Sequence, residues 1–387
     1  MSTDTRDHAR PRRSRHRSRH KSQRKSRPRP GRPALAFAIG AAISVALIAA
    51  AWQYSRNRGN GAADEAVSGP QAGSDLAAYT IVVAGIDSLT DGVLGTDWRR
   101  YFRQATIPRL GDGGPGWASF SKRGVEDHGA TFTYTGFRPF HLGSAQGAMS
   151  LDGEGIVTTR GGSLSWSEPG SWRRARIYFL PGSESSALRC NDAQIGIDGT
   201  TGLAWADIPG PGRIECTAQG ELVVFGALFL ADRPGLVIVN MARSGRRLAD
   251  VAAQDAGYRA RWFAALGPDV FLVNAGSNDW REDTPAIHKA DLRKLVGDAQ
   301  SGAPAMKVFL VQPNAPGGDR TAEEHFANAI AKQELADELG IGLIDVEEKL
   351  GPYGVARHQG LIMDSVHPSD RGNRILGPYF ARKVFGQ

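Results

Sequence analysis

The sequence predicts an α/β fold in which helices cover both faces of a mostly parallel sheet. One observation is a set of five short, buried-looking runs rich in Val, Ile and Leu, at residues 79–85, 235–242, 269–276, 307–314 and 341–346. A second is that helix-like stretches, at 286–299 and 322–339, separate the later runs. Strands that alternate with helices at this spacing are typical of parallel sheets.

A third observation is that residues 119–231 break this rhythm. They hold short segments of alternating polar and apolar residues between Gly, Pro and Ser clusters, at 130–137, 162–168, 174–180 and 221–230. Alternation with a period of two between turn signals is typical of an antiparallel β-sandwich. We therefore predict an all-β domain at 119–231, inserted into an α/β domain formed by 78–118 and 232–387.

The N-terminus predicts a membrane anchor. Residues 1–32 hold thirteen Lys and Arg but only two acidic residues, so this tail should stay unfolded in the cytoplasm. An uncharged apolar stretch follows at 34–52, and as a helix it would be about 28 Å long, close to the thickness of a bilayer core. We predict one span at 33–54 in the cytoplasmic membrane, with the body outside the cytoplasm, periplasmic or extracellular. A cleaved signal ending near Ala49–Ala51 would secrete the body instead.

Charge and cysteine content constrain the exported body. A Gly- and Ser-rich linker is predicted at 55–77. Positions 33–387 hold 34 basic and 38 acidic residues, a net charge of −4, so no nucleic-acid partner is expected. Outside the cytoplasm, Cys190 and Cys216 are free to form a disulfide; two separately buried thiols are the alternative.

Polar residues stand where the predicted parallel strands end. Ser88 follows the first strand, Gly245 the second and Asn278 the third, and Asp364 and His367 lie near the C-terminus. The carboxyl ends of parallel strands share one edge, where ligands bind. Each residue alone has a simpler explanation: Ser88 as a turn residue or helix cap, Asp364 as the cap of a helix near Ser369, Asn278 and Gly245 as loop residues.

Together these segments resemble the SGNH, or GDSL-type, hydrolase family. The resemblance rests on four segments in the family order: Asp87-Ser88-Leu89-Thr90, Ser244-Gly245, Gly276-Ser277-Asn278-Asp279 and Asp364-Ser365-Val366-His367-Pro368. The resemblance implies a flavodoxin-like three-layer sandwich and a serine esterase with the catalytic triad Ser88, His367 and Asp364. It also implies an oxyanion hole formed by Ser88, Gly245 and the Asn278 side chain. One departure is Ile86, which separates Gly85 from Asp87 where the family reads Gly-Asp-Ser.

Acyl transfer explains why these residue types are needed. A serine hydroxyl is a poor nucleophile, so an imidazole must take its proton, and a carboxylate must orient that imidazole. Donors at the oxyanion stabilise the charge that develops during attack. Glycine at 245 would let a backbone amide approach the substrate closely. No cofactor or metal is predicted, because His128, His141, His288, His325 and His358 show no ligand spacing.

A second resemblance concerns residues 109–117, Arg-Leu-Gly-Asp-Gly-Gly-Pro-Gly-Trp. They are similar to a segment of SGNH esterases that carry a β-sandwich between their first two motifs, as peptidoglycan O-acetylesterases do, with an insert that resembles a carbohydrate-binding module. The alternative is that these glycines only make a tight connection between domains. In the insert, Trp166, Trp172, Tyr178 and Trp205 would either stack on sugars or fill the sandwich core.

The sequence thus predicts a carbohydrate O-acetylesterase whose partner is an O-acylated polysaccharide of the envelope or the extracellular space. An O-acetyltransferase with the same triad would pass the acyl group to a sugar instead of water. A non-catalytic glycan-binding protein is the third candidate, because the first motif is altered at Ile86.

Overall fold

The computed structural model describes residues 76–386, apart from 93–96, 121–130, 168–170, 184, 192, 196–201, 280–283 and 318–321. The predicted tail and membrane span, most of the predicted linker, and His128 lie outside these ranges. Within them, no helix is long and apolar enough to cross a membrane.

The described chain forms sixteen strands and nine α-helices. In order these are β1 (Thr80–Ile86), α1 (Ser88–Asp91), α2 (Trp98–Leu110), β2 (Gly116–Ser119), β3 (Phe132–Thr135), β4 (Arg138–Phe140), β5 (Gly155–Thr158), β6 (Gly162–Trp166), β7 (Arg174–Pro181), β8 (Ala187–Cys190), β9 (Ala193–Ile195), β10 (Ala204–Pro209), β11 (Ile214–Gln219), β12 (Leu222–Leu230), β13 (Leu236–Asn240), α3 (Leu248–Ala252), α4 (Ala256–Leu266), β14 (Val270–Asn274), α5 (Pro285–Gly302), β15 (Lys307–Gln312), α6 (Ala322–Leu339), β16 (Gly342–Asp345), α7 (Glu347–Leu350), α8 (Tyr353–His358) and α9 (Asp370–Phe385).

Five of these strands form the predicted parallel sheet, in the order β13-β1-β14-β15-β16. Numbered by their place along the chain, the order is 2-1-3-4-5, which is that of flavodoxin-like folds. The flavodoxin-like α/β prediction is therefore confirmed. Because all five strands run in one direction, their carboxyl ends lie along a single edge.

Alternating side chains of β1, an inner strand of the parallel sheet, pack into two different cores. Ile81 and Val83 join one core, which takes its helical side chains from α3, α4, α5 and α6. Val82 and Ala84 join the other, together with α2 and α9. Both faces of the sheet are thus covered, and the continuous apolar runs of the strands follow from that double burial.

Between residues 116 and 230, the described strands β2 to β12 form two antiparallel sheets. The first has the order β10-β7-β12-β5-β4, with β2 also paired to β12, and the second has the order β3-β6-β11-β8-β9. Strand β12 is buried along its whole length: Val223 and Phe225 belong to the core shared with α4, whereas Val224 and Phe229 face the second sheet. The first sheet is therefore a middle layer between the second sheet and the α/β body.

A glycine-rich connection packs closely against the start of the α/β body, and a disulfide links two neighbouring strands of the second sheet. A Cβ on Gly114 would come within 2.4 Å of the Ala231 nitrogen, and one on Gly116 within 2.3 Å of the Ile238 oxygen. The glycines of 109–117 thus let this segment pass close to the backbone that leads from β12 into β13, as the tight-connection alternative expected. Cys190 of β8 and Cys216 of β11 form a disulfide, the first of the two alternatives for these cysteines.

Candidate active site

Ser88 lies at the point where β1 of the parallel sheet ends and helix α1 begins. β1 ends at Ile86, and Asp87 caps α1 by accepting a hydrogen bond from the backbone N–H of Leu89 at 3.0 Å. The Asp87 carboxylate also accepts hydrogen bonds from the hydroxyl and the backbone N–H of Ser277, at 2.7 and 3.2 Å. The buried aspartate therefore joins the loop that carries Ser88 to the loop that carries Asn278.

The predicted serine, histidine and aspartate form a continuous hydrogen-bonded chain. His367 Nε2 lies 2.9 Å from Ser88 Oγ, and His367 Nδ1 lies 2.7 Å from Asp364 Oδ2. Two distant stretches of sequence, one with Ser88 and one with Asp364 and His367, thus meet at the carboxyl edge of the sheet. A hydroxyl, an imidazole and a carboxylate in this order can take a proton from the serine as it attacks a carbonyl carbon.

Asp364 is held by its own loop. Its Oδ1 accepts hydrogen bonds from the backbone N–H groups of Val366 and His367, at 2.8 and 2.7 Å. Burial acts to raise the pKa of Asp364, but these N–H groups and the imidazole outweigh it and hold the pKa below the ordinary value. The side chain is therefore a carboxylate when the imidazole becomes positively charged. Ser369, not Asp364, caps α9, so the capping alternative for Asp364 is wrong.

The loop that contains Gly245 is fixed from two sides. The Ser244 N–H donates to Asp91 Oδ2 at the end of α1, at 2.7 Å. The Asn278 side chain donates to the Arg246 carbonyl oxygen at 3.0 Å. These bonds hold the Gly245 loop beside both Ser88 and Asn278, the three residues predicted to form the oxyanion hole.

The backbone conformation gives a second reason for glycine at 245, beside the predicted close approach to the substrate. A Cβ at this position would meet no atom of the described chain within 4 Å, so the structure gives no crowding that glycine must relieve. The backbone instead has φ +77°, in the left-handed region that glycine adopts at little cost. The glycine therefore sets the direction of the loop.

The departure at Ile86 leaves the serine in place. Ile86 is a fully buried residue of β1, and its carbonyl oxygen accepts a hydrogen bond from the backbone N–H of Arg243 at 2.9 Å. The strand thus continues through Ile86 up to the Asp87 cap. The altered motif does not separate Ser88 from His367.

Sequence reasoning missed the residues that support this arrangement. Asp87, Asp91 and Ser277 each hold a neighbouring loop, and Lys332 of α6 donates hydrogen bonds to the carbonyl oxygens of Ala275 and Val311 at two strand ends. Burial lowers the pKa of Lys332 to about 8. Asp87 stands directly before Ser88, and Ser277 stands directly before Asn278. This adjacency to predicted site residues is the signal by which the sequence could have revealed them. Nothing in the sequence around Lys332 points to the site.

The aromatic residues of the antiparallel sheets mostly fill cores. Trp166, Trp172 and Tyr178 are at most 1% exposed, so sugar stacking by these three is wrong and core filling is confirmed. Trp205 is partly exposed, and the Arg176 guanidinium lies over its ring at 5.6 Å.

Part of the chain is similar to a known protein family. A family profile described as GDSL-like Lipase/Acylhydrolase family matches residues 212–375. That range includes Gly245, Asn278, Asp364 and His367 but not Ser88, which the fold brings to them. No curated protein sequence matches the chain.

Among solved structures, a peptidoglycan O-acetylesterase has the same fold: TM-score 0.65 and 16% identity, over 80% of this chain and 92% of that one. An aryl esterase of M. smegmatis has TM-score 0.33 and 20% identity, over 39% of this chain and 79% of that one. Est24, a carbohydrate acetylesterase from Sinorhizobium meliloti, has TM-score 0.32 and 22% identity over the same shares. Residues 212–375 are therefore similar to the GDSL-like lipase/acylhydrolase family, and the described chain shares its fold with a peptidoglycan O-acetylesterase.

Proposed function

We propose that the protein is a serine esterase that removes O-acetyl groups from an envelope or extracellular polysaccharide. The observation that carries the proposal is the chain of hydrogen bonds from Ser88 Oγ through His367 to Asp364, with steps of 2.9 and 2.7 Å. Distances in this range suit direct proton transfer.

In the first half-reaction, Ser88 Oγ attacks the acetyl carbonyl carbon while His367 Nε2 accepts the hydroxyl proton. Asp364 stabilises the imidazolium through Nδ1. The C–O bond to the sugar then breaks, and His367 returns the proton to the departing sugar oxygen. In the second half-reaction, His367 deprotonates a water molecule that attacks the acetyl-serine, which releases acetate and restores Ser88.

In both half-reactions, the negative charge that develops on the carbonyl oxygen needs hydrogen-bond donors. We assign this role to the backbone N–H groups of Ser88 and Gly245 and to the Asn278 side chain. The contacts from Asp91 to Ser244 and from Asn278 to Arg246 support the assignment, because they hold these donors on loops that are fixed before substrate arrives.

Two observations support an acetylated glycan as the substrate. The solved structure with the same fold over most of both chains is named a peptidoglycan O-acetylesterase. The chain also carries two antiparallel sheets in the region that we regard as an inserted domain, 119–231. Binding of sugar by that domain remains a prediction.

Turnover of a simple ester tests the reaction. The purified protein should hydrolyse p-nitrophenyl acetate, and Ser88→Ala should lower kcat by about 1,000-fold or more. Ser365→Ala is a matched control, since Ser365 lies beside Asp364 and belongs to neither the triad nor the proposed oxyanion hole; it should retain most of the activity. A wild-type rate equal to that of Ser88→Ala would favour the non-catalytic glycan-binding alternative.

Acetylated polysaccharides test the substrate and the acceptor. Incubation with O-acetylated peptidoglycan should release free acetate. Transfer of the acetyl group to added unacetylated glycan, in place of release, would make the protein an O-acetyltransferase with the same triad.

We also propose that residues 33–54 anchor the protein in the cytoplasmic membrane with its body outside. The support is the uncharged stretch 34–52 behind a basic tail. Alkaline carbonate extraction of membranes should leave the full-length chain in the pellet. A soluble chain that begins after Ala51 would instead indicate a cleaved signal.

A further inference from the structure

The segment between β4 and β5, residues 141–154, lies against the loop that follows β13. This segment is part of the region that we regard as an inserted domain, whereas the loop carries Gly245, a proposed donor of the oxyanion hole. The two meet through charged side chains, since Glu154 of the segment forms an ion pair with Arg243 of the loop. Neither half-reaction proposed above uses this contact.

Residues 243–246 form a turn that presents Gly245. The Arg246 backbone N–H donates to the Arg243 carbonyl oxygen at 3.2 Å, and the Arg243 N–H donates to the carbonyl oxygen of Ile86, the last residue of β1, at 2.9 Å. Gly245 is the third residue of the turn, with φ +77° and open space where a side chain would stand. The direction of its N–H therefore depends on what holds the two ends of the turn.

Glu154 holds the first end of the turn. Its side chain is only 5% exposed, and its partner, the Arg243 side chain, is 34% exposed. His141 also approaches this carboxylate, with Nδ1 3.4 Å from Glu154 Oε1, but its side chain is 66% exposed. A buried carboxylate is costly unless a positive group remains beside it, so Glu154 keeps the Arg243 guanidinium in one place.

The last end of the turn is buried beside the same segment. Arg246 is 2% exposed, and its Nη1 donates to the Met241 carbonyl oxygen at 2.7 Å. A Cβ added to Gly153 would come within 3.2 Å of Arg246 Nη2. Burial lowers the pKa of Arg246 to about 10, while the charge of Asp152 acts to raise it. Both ends of the turn thus lie beside residues 152–154.

The segment that carries Glu154 is itself fixed. Gln254 Nε2, between α3 and α4, donates to the carbonyl oxygens of Gly147 and Ser150, at 2.9 and 3.2 Å. Asp152 Oδ1 accepts a hydrogen bond from the Glu154 backbone N–H at 3.0 Å. Glu154 therefore provides a fixed point to which the loop is attached.

We propose that Glu154 is a positioning residue, which acts through Arg243 to hold the Gly245 N–H in the direction that the developing oxyanion needs. The inference rests on the proposed esterase function. It makes the predicted insert part of what sets the rate of acyl transfer, because a carboxylate of the insert controls an oxyanion donor of the α/β domain.

Glu154→Gln, Arg243→Gln and the double variant test the pair in the full-length protein. Each single variant should lower kcat for p-nitrophenyl acetate by about 10- to 100-fold, because a misplaced donor loses much of its effect on the transition state. KM should stay near its wild-type value, since the oxyanion contact is made in the transition state. The double variant should be no slower than the slower single variant, because both changes remove the same link.

Two further variants separate positioning from folding. Arg243→Lys keeps the positive charge and should recover part of the kcat that Arg243→Gln loses. Asp207→Asn is the matched control: it breaks an ion pair between β10 and β7, where Asp207 accepts hydrogen bonds from Arg176 at 2.8 and 2.7 Å. This control should lower the melting temperature and leave kcat unchanged, with all rates measured below the melting temperature of the least stable variant.

The proposal is overturned if folded Glu154→Gln keeps the wild-type kcat, or if Asp207→Asn lowers kcat as much as Glu154→Gln does. It is also overturned if the loss in the double variant equals the product of the two single losses, because the residues would then act separately. In each of these cases the wild type still exceeds Ser88→Ala. A failure of the proposed function differs, since the wild type would then hydrolyse p-nitrophenyl acetate no faster than Ser88→Ala.

Discussion

Two aspartates lie near the nucleophile Ser88, and their surroundings shift their pKa values in opposite directions. The N–H groups around Asp364 hold its pKa below the ordinary value, whereas burial raises the pKa of Asp87 in spite of its hydrogen bonds to Ser277 and Leu89. Asp364 forms a hydrogen bond with the His367 imidazole, whereas Asp87 bonds Ser277 and Leu89. Asp364 is therefore the residue suited to stabilise a charged His367, and Asp87 the one suited to hold loops.

Replacing Asp364 with Asn should separate these roles. The amide keeps the shape but no longer favours the imidazole tautomer that accepts the serine proton, so kcat should fall by about 1,000- to 10,000-fold. Asp370→Asn is the control, because that exposed aspartate bonds Tyr101 and Arg374 instead. Turnover of p-nitrophenyl acetate measures both; an Asp364→Asn enzyme as fast as wild type would remove the aspartate from the triad.

His288 makes stability depend on pH. It is fully buried, neither ring nitrogen has a partner among the described residues, and burial lowers its pKa to about 3. An unfolded histidine titrates near 6.5, so between these values the unfolded chain binds the extra proton and the unfolding free energy falls as pH falls.

The size of that effect is measurable. From pH 8 to pH 5, His288 should reduce the unfolding free energy by about 2 kcal/mol. Urea titrations at both pH values should therefore show a drop that is about 2 kcal/mol smaller in His288→Leu than in wild type. Equal drops in the two proteins would mean that His288 is protonated in the folded state.

At the scale of elements, loops after the parallel strands provide the site and strands provide its rigidity. The Gly245 loop follows β13, and its left-handed glycine sets the path that leads to α3. Gly297, in the middle of α5, has an ordinary helical backbone and open space around it. The two glycines allow backbone strain to be tested against a matched change.

Gly245→Ala should destabilise the protein by about 1 kcal/mol and lower kcat, because a side chain disfavours the left-handed backbone of a loop that carries a proposed oxyanion donor. Gly297→Ala should stabilise it by about 0.5–1 kcal/mol and leave kcat unchanged, since alanine favours the helix. Thermal melts and p-nitrophenyl acetate turnover measure both. A Gly245→Ala enzyme with wild-type kcat would show that the loop does not need this conformation for catalysis.

The sequence predicted the elements whose patterns are local. The apolar runs placed β1, β13, β14, β15 and β16 within about two residues, and motif residues at their ends placed Ser88, His367 and Asp364 together. α2 was not predicted: Arg99, Arg100 and Arg103 interrupt its apolar pattern, and Pro108 lies inside it. Its place is set by tertiary packing of Trp98 and Phe102 against α9.

Contacts between distant segments could not be predicted from the sequence. The bonds from Asp87 to Ser277 and from Lys332 to Ala275 join residues that no local pattern relates. The left-handed backbone of Gly245 also could not be predicted from the sequence, since its motif position suggested only close approach to the substrate.

At the scale of the whole molecule, the first antiparallel sheet contributes side chains to two hydrophobic cores. Trp262 of α4 packs against Trp117, Tyr178 and Phe225, with ring centroids 5.7, 4.9 and 5.4 Å away. Its indole N–H also donates to the Met149 carbonyl oxygen at 2.8 Å. These contacts join the helix layer of the α/β domain to the middle sheet, so we expect the two to unfold together.

Trp262→Ala should therefore destabilise both parts at once, by about 3–5 kcal/mol, since it leaves a large cavity at their junction. Calorimetry should show a single transition at a lower temperature for the variant. The partly exposed Trp205 gives a control, and Trp205→Ala should cost less. Two separated transitions in either protein would show that the sheets and the α/β domain fold independently.

Covalent labelling of Ser88 tests the central claim most directly, because only an activated serine reacts rapidly with a fluorophosphonate. Mass spectrometry of the treated wild-type protein should find one adduct, on the peptide that contains Ser88, formed in step with loss of esterase activity. His367→Ala should lose that labelling while remaining folded. Activity that disappears with Ser88 unmodified, or equal labelling of Ser88 in His367→Ala, would contradict the hydrogen-bonded triad.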